Sequence, residues 1–126
     1  MTKKNKYDSS WNQGNEILWN EKYGEWEKRD WEEWLNTNLS FPFQVERKND
    51  EEDAYFTDIA DREPFRLGHK MTVLGIEMED DLYGVIVKVR ERRRIGYVPL
   101  IDTEVVSRDN ENFWTVREYA AWFANR

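Results

Sequence analysis

The chain has 126 residues, a net formal charge of −7 and no cysteine. That length suits one compact domain that buries its core without staples. The missing cysteine excludes disulfides, thiol catalysis and zinc–thiolate sites, and the acidic balance opposes generic binding to nucleic acid while favouring cations.

The opening residues, Met1 to Lys6, carry positive charge but lack the apolar stretch of a secretion signal. No apolar run approaches the ~18 residues of a membrane span. The expectation is a cytoplasmic protein without a membrane partner, and the absence of cysteine fits a reducing compartment. Residues 1–16 are polar and read as a loose arm. Between Ile17 and Leu39, Trp19, Tyr23 and Trp26 recur at helical spacing, and so do Trp31, Trp34 and Leu35. The two sets are out of phase, and Gly24 weakens the middle. One good helix is expected from about Glu25 to Asn38, with a short one before it. The plain reading of these tryptophans is core packing rather than a platform for stacking a ligand.

Phe41-Pro42-Phe43 stops the helix, because Pro42 has no amide donor and disfavours helix at Phe41. Phe43, Val45 and Arg47 then alternate with Gln44, Glu46 and Lys48, the pattern of a half-buried strand. Residues 49–64 read as an acidic loop with seven carboxylates: Asp50, Glu51, Glu52, Asp53, Asp58, Asp61 and Glu63. The second half reads as sheet. Strands are expected over Met71–Ile76, Tyr83–Val89 and Ile95–Leu100, with a short fourth at Thr103–Val106. An acidic turn at Glu77–Asp81 and a basic turn at Arg90–Arg94 separate them. Short strands with charged turns suggest a small barrel. At the end, Val116, Tyr119, Ala120 and Phe123 share one helical face, with Thr115 as N-cap and Glu118 completing a capping box. Trp34, Trp122 and Phe123 are expected to be largely buried, joining the two helices to the barrel.

Two acidic clusters carry chemistry of interest, Asp50 to Glu63 and Glu77 to Asp81. Calcium is a hard cation that takes six to eight oxygen ligands, and flexible acidic loops supply both carboxylates and carbonyls. The plain alternative is a solvated acidic surface. The EF-hand spacing is absent. His69 reads as an exposed turn histidine without a catalytic partner. Arg90, Arg92, Arg93 and Arg94 read as a charged hairpin that discourages edge pairing. No paired acid and base stand out as an enzyme site, so no catalytic activity is expected.

The segments together resemble the CcbP calcium-binding family known from cyanobacteria. The resemblance rests on Trp34-Leu35-Asn36, Asn38 to Phe43, Gly68 with Val73 to Ile76, Asp80 to Val85, Pro99-Leu100, and Tyr119 to Arg126. It implies an α+β fold: a small SH3-like antiparallel barrel flanked by N-terminal and C-terminal helices. It also implies non-EF-hand calcium binding in buffering or signalling. On this reading residues 1–24 are a polar, Trp-containing extension and 25–126 a single calcium-binding-protein-like domain. Calcium is expected where the Asp80-Asp81 turn and the acidic region after Phe43 approach each other. Glu46, Asp50, Asp53, Glu79, Asp80, Asp81 and Glu104 are the candidate ligands. His69 departs from the pattern, standing where an Asp is expected after the glycine. The competing class is an acidic SH3-like protein-interaction module without a bound metal.

Overall fold

The computed structural model describes residues 7–48 and 64–126. The chain divides into two compact units, Met1–Asp30 and Trp31–Arg126. No helix among the described residues is long and apolar enough to cross a membrane.

The first unit is built on aromatic rings. A single 3-10 turn at Ser10–Asn12 precedes helix α1, Glu16–Glu27. Asn15 caps the helix, its side-chain oxygen accepting from the amides of Ile17 and Leu18 at 3.0 and 3.1 Å. Trp26 is fully buried, with Trp11, Trp19 and Tyr23 packed edge-on around it. The expected single helix over Glu25–Asn38 is therefore two. Helix α1 ends at Glu27, and α2, Trp31–Asn38, starts afresh. The phase shift between the two aromatic sets is the reason. Trp19, Tyr23 and Trp26 serve the core of the first unit and Trp31 and Leu35 that of the second, which one straight helix cannot do.

The second unit is α+β. Its strands are β1 (Phe43–Arg47), β2 (Lys70–Asp80), β3 (Gly84–Glu91), β4 (Arg94–Pro99) and β5 (Thr103–Val105). A 3-10 turn at Leu100–Asp102 joins β4 to β5, and helix α3, Phe113–Asn125, closes the chain. All pairings are antiparallel, in the order β4-β3-β2-β1-β5. Among the described residues β4 and β5 do not pair, so the sheet is not closed into the expected SH3-like barrel and has these two strands as its edges. Pro99 ends β4 without an amide donor, and β5 is only three residues long, too little ladder to join the two edges.

The acidic turn is also shorter than expected. Glu77, Glu79 and Asp80 belong to β2, and only residues 81–83 turn. Two register shifts, between Val73 and Gly75 and between Ile76 and Met78, mark β-bulges that let β2 bend over its eleven residues.

Alternation puts Val85, Val87 and Val89 on the inner face, each fully buried, with Val45, Val73 and Val98 beside them. Helices α2 and α3 supply Leu35, Trp31, Val116 and Tyr119 to the same core. Trp31 stacks on Trp122 at 5.2 Å and meets Tyr119 edge-on at 5.4 Å. The buried rings of this unit among the described residues are thus Trp31, Phe43 and Tyr119, while Trp34, Trp122 and Phe123, expected inside, are half-buried at the rim. Thr115 is not the N-cap either. It lies within α3, as does Glu118, and both are buried. The flanking residue is Asn112, whose side chain makes no cap bond to its own helix. Its carboxamide reaches Ser40 instead, accepting from the Ser40 amide at 2.8 Å and donating to the Ser40 carbonyl at 3.0 Å. That pair of bonds ties the α2–β1 connection to the start of α3. Asn112→Ala leaves both Ser40 groups without these partners, and urea unfolding should show a loss of about 1–3 kcal/mol.

Candidate functional site

Lys70 opens β2 and Asp80 closes it. The candidate ligands among the described residues gather at these two ends. At the first end, Glu46 of β1 is the register partner of both Lys70 in β2 and Glu104 in β5. Two carboxylates opposite one another repel. Here Lys70 flanks the pair, and the Lys48 ammonium lies 2.9 Å from Glu46 Oε2. Asp50 and Asp53, expected to join this group, lie outside the described residues.

At the other end, Glu79, Asp80 and Asp81 line a cavity of about 230 Å³. Its remaining wall is Gly84 with Tyr119, Trp122, Phe123 and Arg126 of α3. The turn has a specific local construction. Asp80 Oδ1 accepts from the amides of both Leu82 and Tyr83 at 2.8 Å. Gly84 follows with φ +73°, a conformation that glycine takes without strain. A side chain there would run into the Tyr119 hydroxyl and the Phe123 ring. Next, the Val85 amide donates to the Tyr119 hydroxyl at 2.8 Å in a buried bond. The turn is thereby clamped to α3.

Electrostatics follow the same contacts. The Tyr83 and then the Leu82 amide hold the Asp80 carboxyl below its ordinary 3.8, so it is charged at neutral pH. Burial pushes the Tyr119 phenol up, and the nearby Glu79 charge adds to this against the Val85 amide and Arg126. Arg126 lies over the Phe123 ring at 3.9 Å, a cation–π contact within the same wall.

All these donors are oxygen, the ligand type that calcium takes. The two amide bonds occupy Oδ1 of Asp80, leaving Oδ2 and the carboxylates of Glu79 and Asp81 as donors. Among the described residues no three acidic or histidine side chains are grouped closely enough to hold a metal ion.

His69 is not an exposed turn residue. It is half-buried, with Nδ1 3.1 Å from Glu91, and Glu91 also accepts from the Phe65 amide at 2.7 Å. A carboxylate in place of His69 would set two acids side by side. Sequence reasoning missed Tyr119 and Arg126 as part of the cavity. Gly84, directly after Asp80–Tyr83, was a readable turn signal, but nothing in the sequence links Val85 to a tyrosine on another element.

The family model for CcbP-type calcium-binding proteins, described as calcium binding, matches residues 14–123. The chain belongs to this calcium-binding family. No curated protein matches it. Two solved structures resemble its fold. One, the crystal structure of Anabaena CcbP, is 21% identical over 75% of this chain and 71% of that chain, with a TM-score of 0.55. The other, a calcium-binding protein in the calcium-binding form, is 19% identical over 94% of this chain and 97% of that chain, again with a TM-score of 0.55. The family match begins within the first unit and takes in all of α1.

The Asp80 turn has a measurable acid limit. Because its pKa in the fold lies below 3.8, the stabilisation it brings is present above that value and is lost as pH falls through the lowered pKa. In urea unfolding across this range, Asp80→Asn should lose less stability than the parent chain as the pH drops.

Proposed function

We propose that this chain is a non-EF-hand calcium-binding protein that serves calcium buffering or signalling, with its principal site at Glu79, Asp80 and Asp81. The observation that carries the reading is the placement of these three carboxylates around one cavity, in a member of a calcium-binding family. Crowded carboxylates repel one another and gain from a cation between them. The turn leaves room for backbone carbonyls to add oxygen donors. Glu46 and Glu104 form the second acidic region of the proposal; Asp50 and Asp53, candidates from the sequence, lie outside the described residues. Lys48 and Lys70 already offset part of its charge, which is why the Asp80 end ranks first. The absence of cysteine supports placing the protein in a reducing cytoplasm.

Calorimetric titration with calcium tests this directly. Calcium should bind and raise the melting temperature by mass action, adding about 2.7 kcal/mol at a hundredfold excess over Kd. Magnesium should compete poorly, since it resists dehydration and demands a tighter octahedral shell. Trp122 lines the cavity, so its fluorescence should change on binding. Asp80→Asn and Asp81→Asn should each weaken affinity by about tenfold with unchanged circular dichroism, and Glu46→Gln should weaken it less. Neither heat nor a shift in melting temperature at ~1 mM calcium, the weak end of protein calcium sites, would refute the proposal and favour the metal-free interaction module.

A further inference from the structure

We propose that the free edge of β4 is a docking site for an extended acidic segment of another protein, which adds to the sheet as a sixth strand. Among the described residues, strand β4 is the edge of the sheet next to β3. In the register of this hairpin Glu91 pairs with Arg94, Val89 with Gly96 and Val87 with Val98. Antiparallel pairs alternate, and across a two-residue turn the closing pair is hydrogen-bonded. Residues 94, 96 and 98 therefore turn their amides and carbonyls to β3. Ile95 and Tyr97 turn theirs outward, where an added strand would meet them.

The side chains at those two positions are also uncovered. Ile95 is 48% and Tyr97 55% exposed. Each faces a cation across the hairpin, Ile95 opposite Arg90 and Tyr97 opposite Lys88. Arg92 and Arg93 form the turn and Arg94 begins β4, all three exposed. Lys88, Arg90, Arg92, Arg93 and Arg94 thus gather at one edge of a chain whose net charge is −7. The carboxylate among them, Glu91, is engaged with His69 and the Phe65 amide. At physiological salt, charges beyond ~8 Å are screened, so the cations described at this edge act on an approaching segment at short range.

This charge selects the occupant. A second copy would bring its own arginines to the same edge, and like charges oppose that pairing. A single-stranded nucleic acid would find one exposed ring on this edge, Tyr97, where stacking platforms offer several. It would also leave the outward amides of Ile95 and Tyr97 unmatched. An extended peptide with acidic residues satisfies both the backbone row and the cations.

The test is selection of a random peptide library on the full chain, followed by anisotropy measurements on the selected peptides. Selected sequences should be rich in Asp and Glu interleaved with β-branched residues. Tyr97→Pro removes an outward amide and no bond to β3, whereas Tyr97→Thr keeps that amide. The proline variant should bind about five- to tenfold more weakly than the threonine variant. Arg93→Glu combined with Arg94→Glu changes only exposed side chains and should weaken binding at least about tenfold, which holds the test open if the proline variant fails to fold. Selected peptides without acidic residues, or binding indifferent to the charge reversal, would overturn the proposal. So would equal affinity of the folded proline and threonine variants, or tighter binding of oligouridylate than of any selected peptide.

Discussion

An open antiparallel sheet has two faces, and in the second unit only one of them is lined with fully buried valines. Val45, Val73, Val85, Val87, Val89 and Val98 must be kept from water on the inner face, and the strands cannot do it by closing on themselves. Helices α2 and α3 meet that demand. Their shared aromatic contact, Trp31 against Tyr119 and Trp122, sets how they sit on the sheet. The Tyr119 hydroxyl then accepts from the Val85 amide near the start of β3. The position of the Asp80 turn is a consequence of this packing, because the residue that completes the core is also the residue that holds the turn.

The acidic side chains divide according to what already neutralises them. Glu46 and Glu104 belong to a ladder that runs through Lys70, with Lys48 close by. Asp80 is held by amides instead, partners that stabilise its charge without cancelling it. Glu79 and Asp81 add two further carboxylates beside it, and Arg126 lies across the same cavity. Among the described residues, lysines thus stand beside the carboxylates at one end of β2, while the three at the other end share their cavity with Arg126.

Period-two patterns were the most legible part of the sequence. The valines of β3 and the alternation from Phe43 to Arg47 place those strands correctly, since burial on one face leaves a local record in every second residue. The helical break at residues 28–30 was visible only as a phase shift, and its meaning depended on there being two separate cores. Glu77, Glu79 and Asp80 looked like turn residues by composition, yet they continue β2 past two bulges, where the pleat rule no longer reports on side-chain direction. The candidate carboxylates could be named from the sequence, but their division between the two ends of β2 required the strand register. The roles of Tyr119 and Asn112 were hidden for a related reason. Each depends on a partner on a different element, and Thr115 offered a local capping signal stronger than anything at Asn112.

The bridge between Asn112 and Ser40 joins positions 72 residues apart, while β2, β3 and β4 follow one another through short turns. Contacts of such different sequence separation form on different schedules, because a long loop loses more entropy on closure than a short one. On this argument the meander is expected to assemble before the two helices dock, and the carboxamide bridge to form as they close over it. An interaction formed after the rate-limiting step governs how fast the native state opens rather than how fast it is reached. In a chevron analysis, loss of this bridge should steepen escape from the fold and leave the refolding limb nearly unmoved. One asparagine should then bear on the lifetime of the closed protein more than on its speed of assembly.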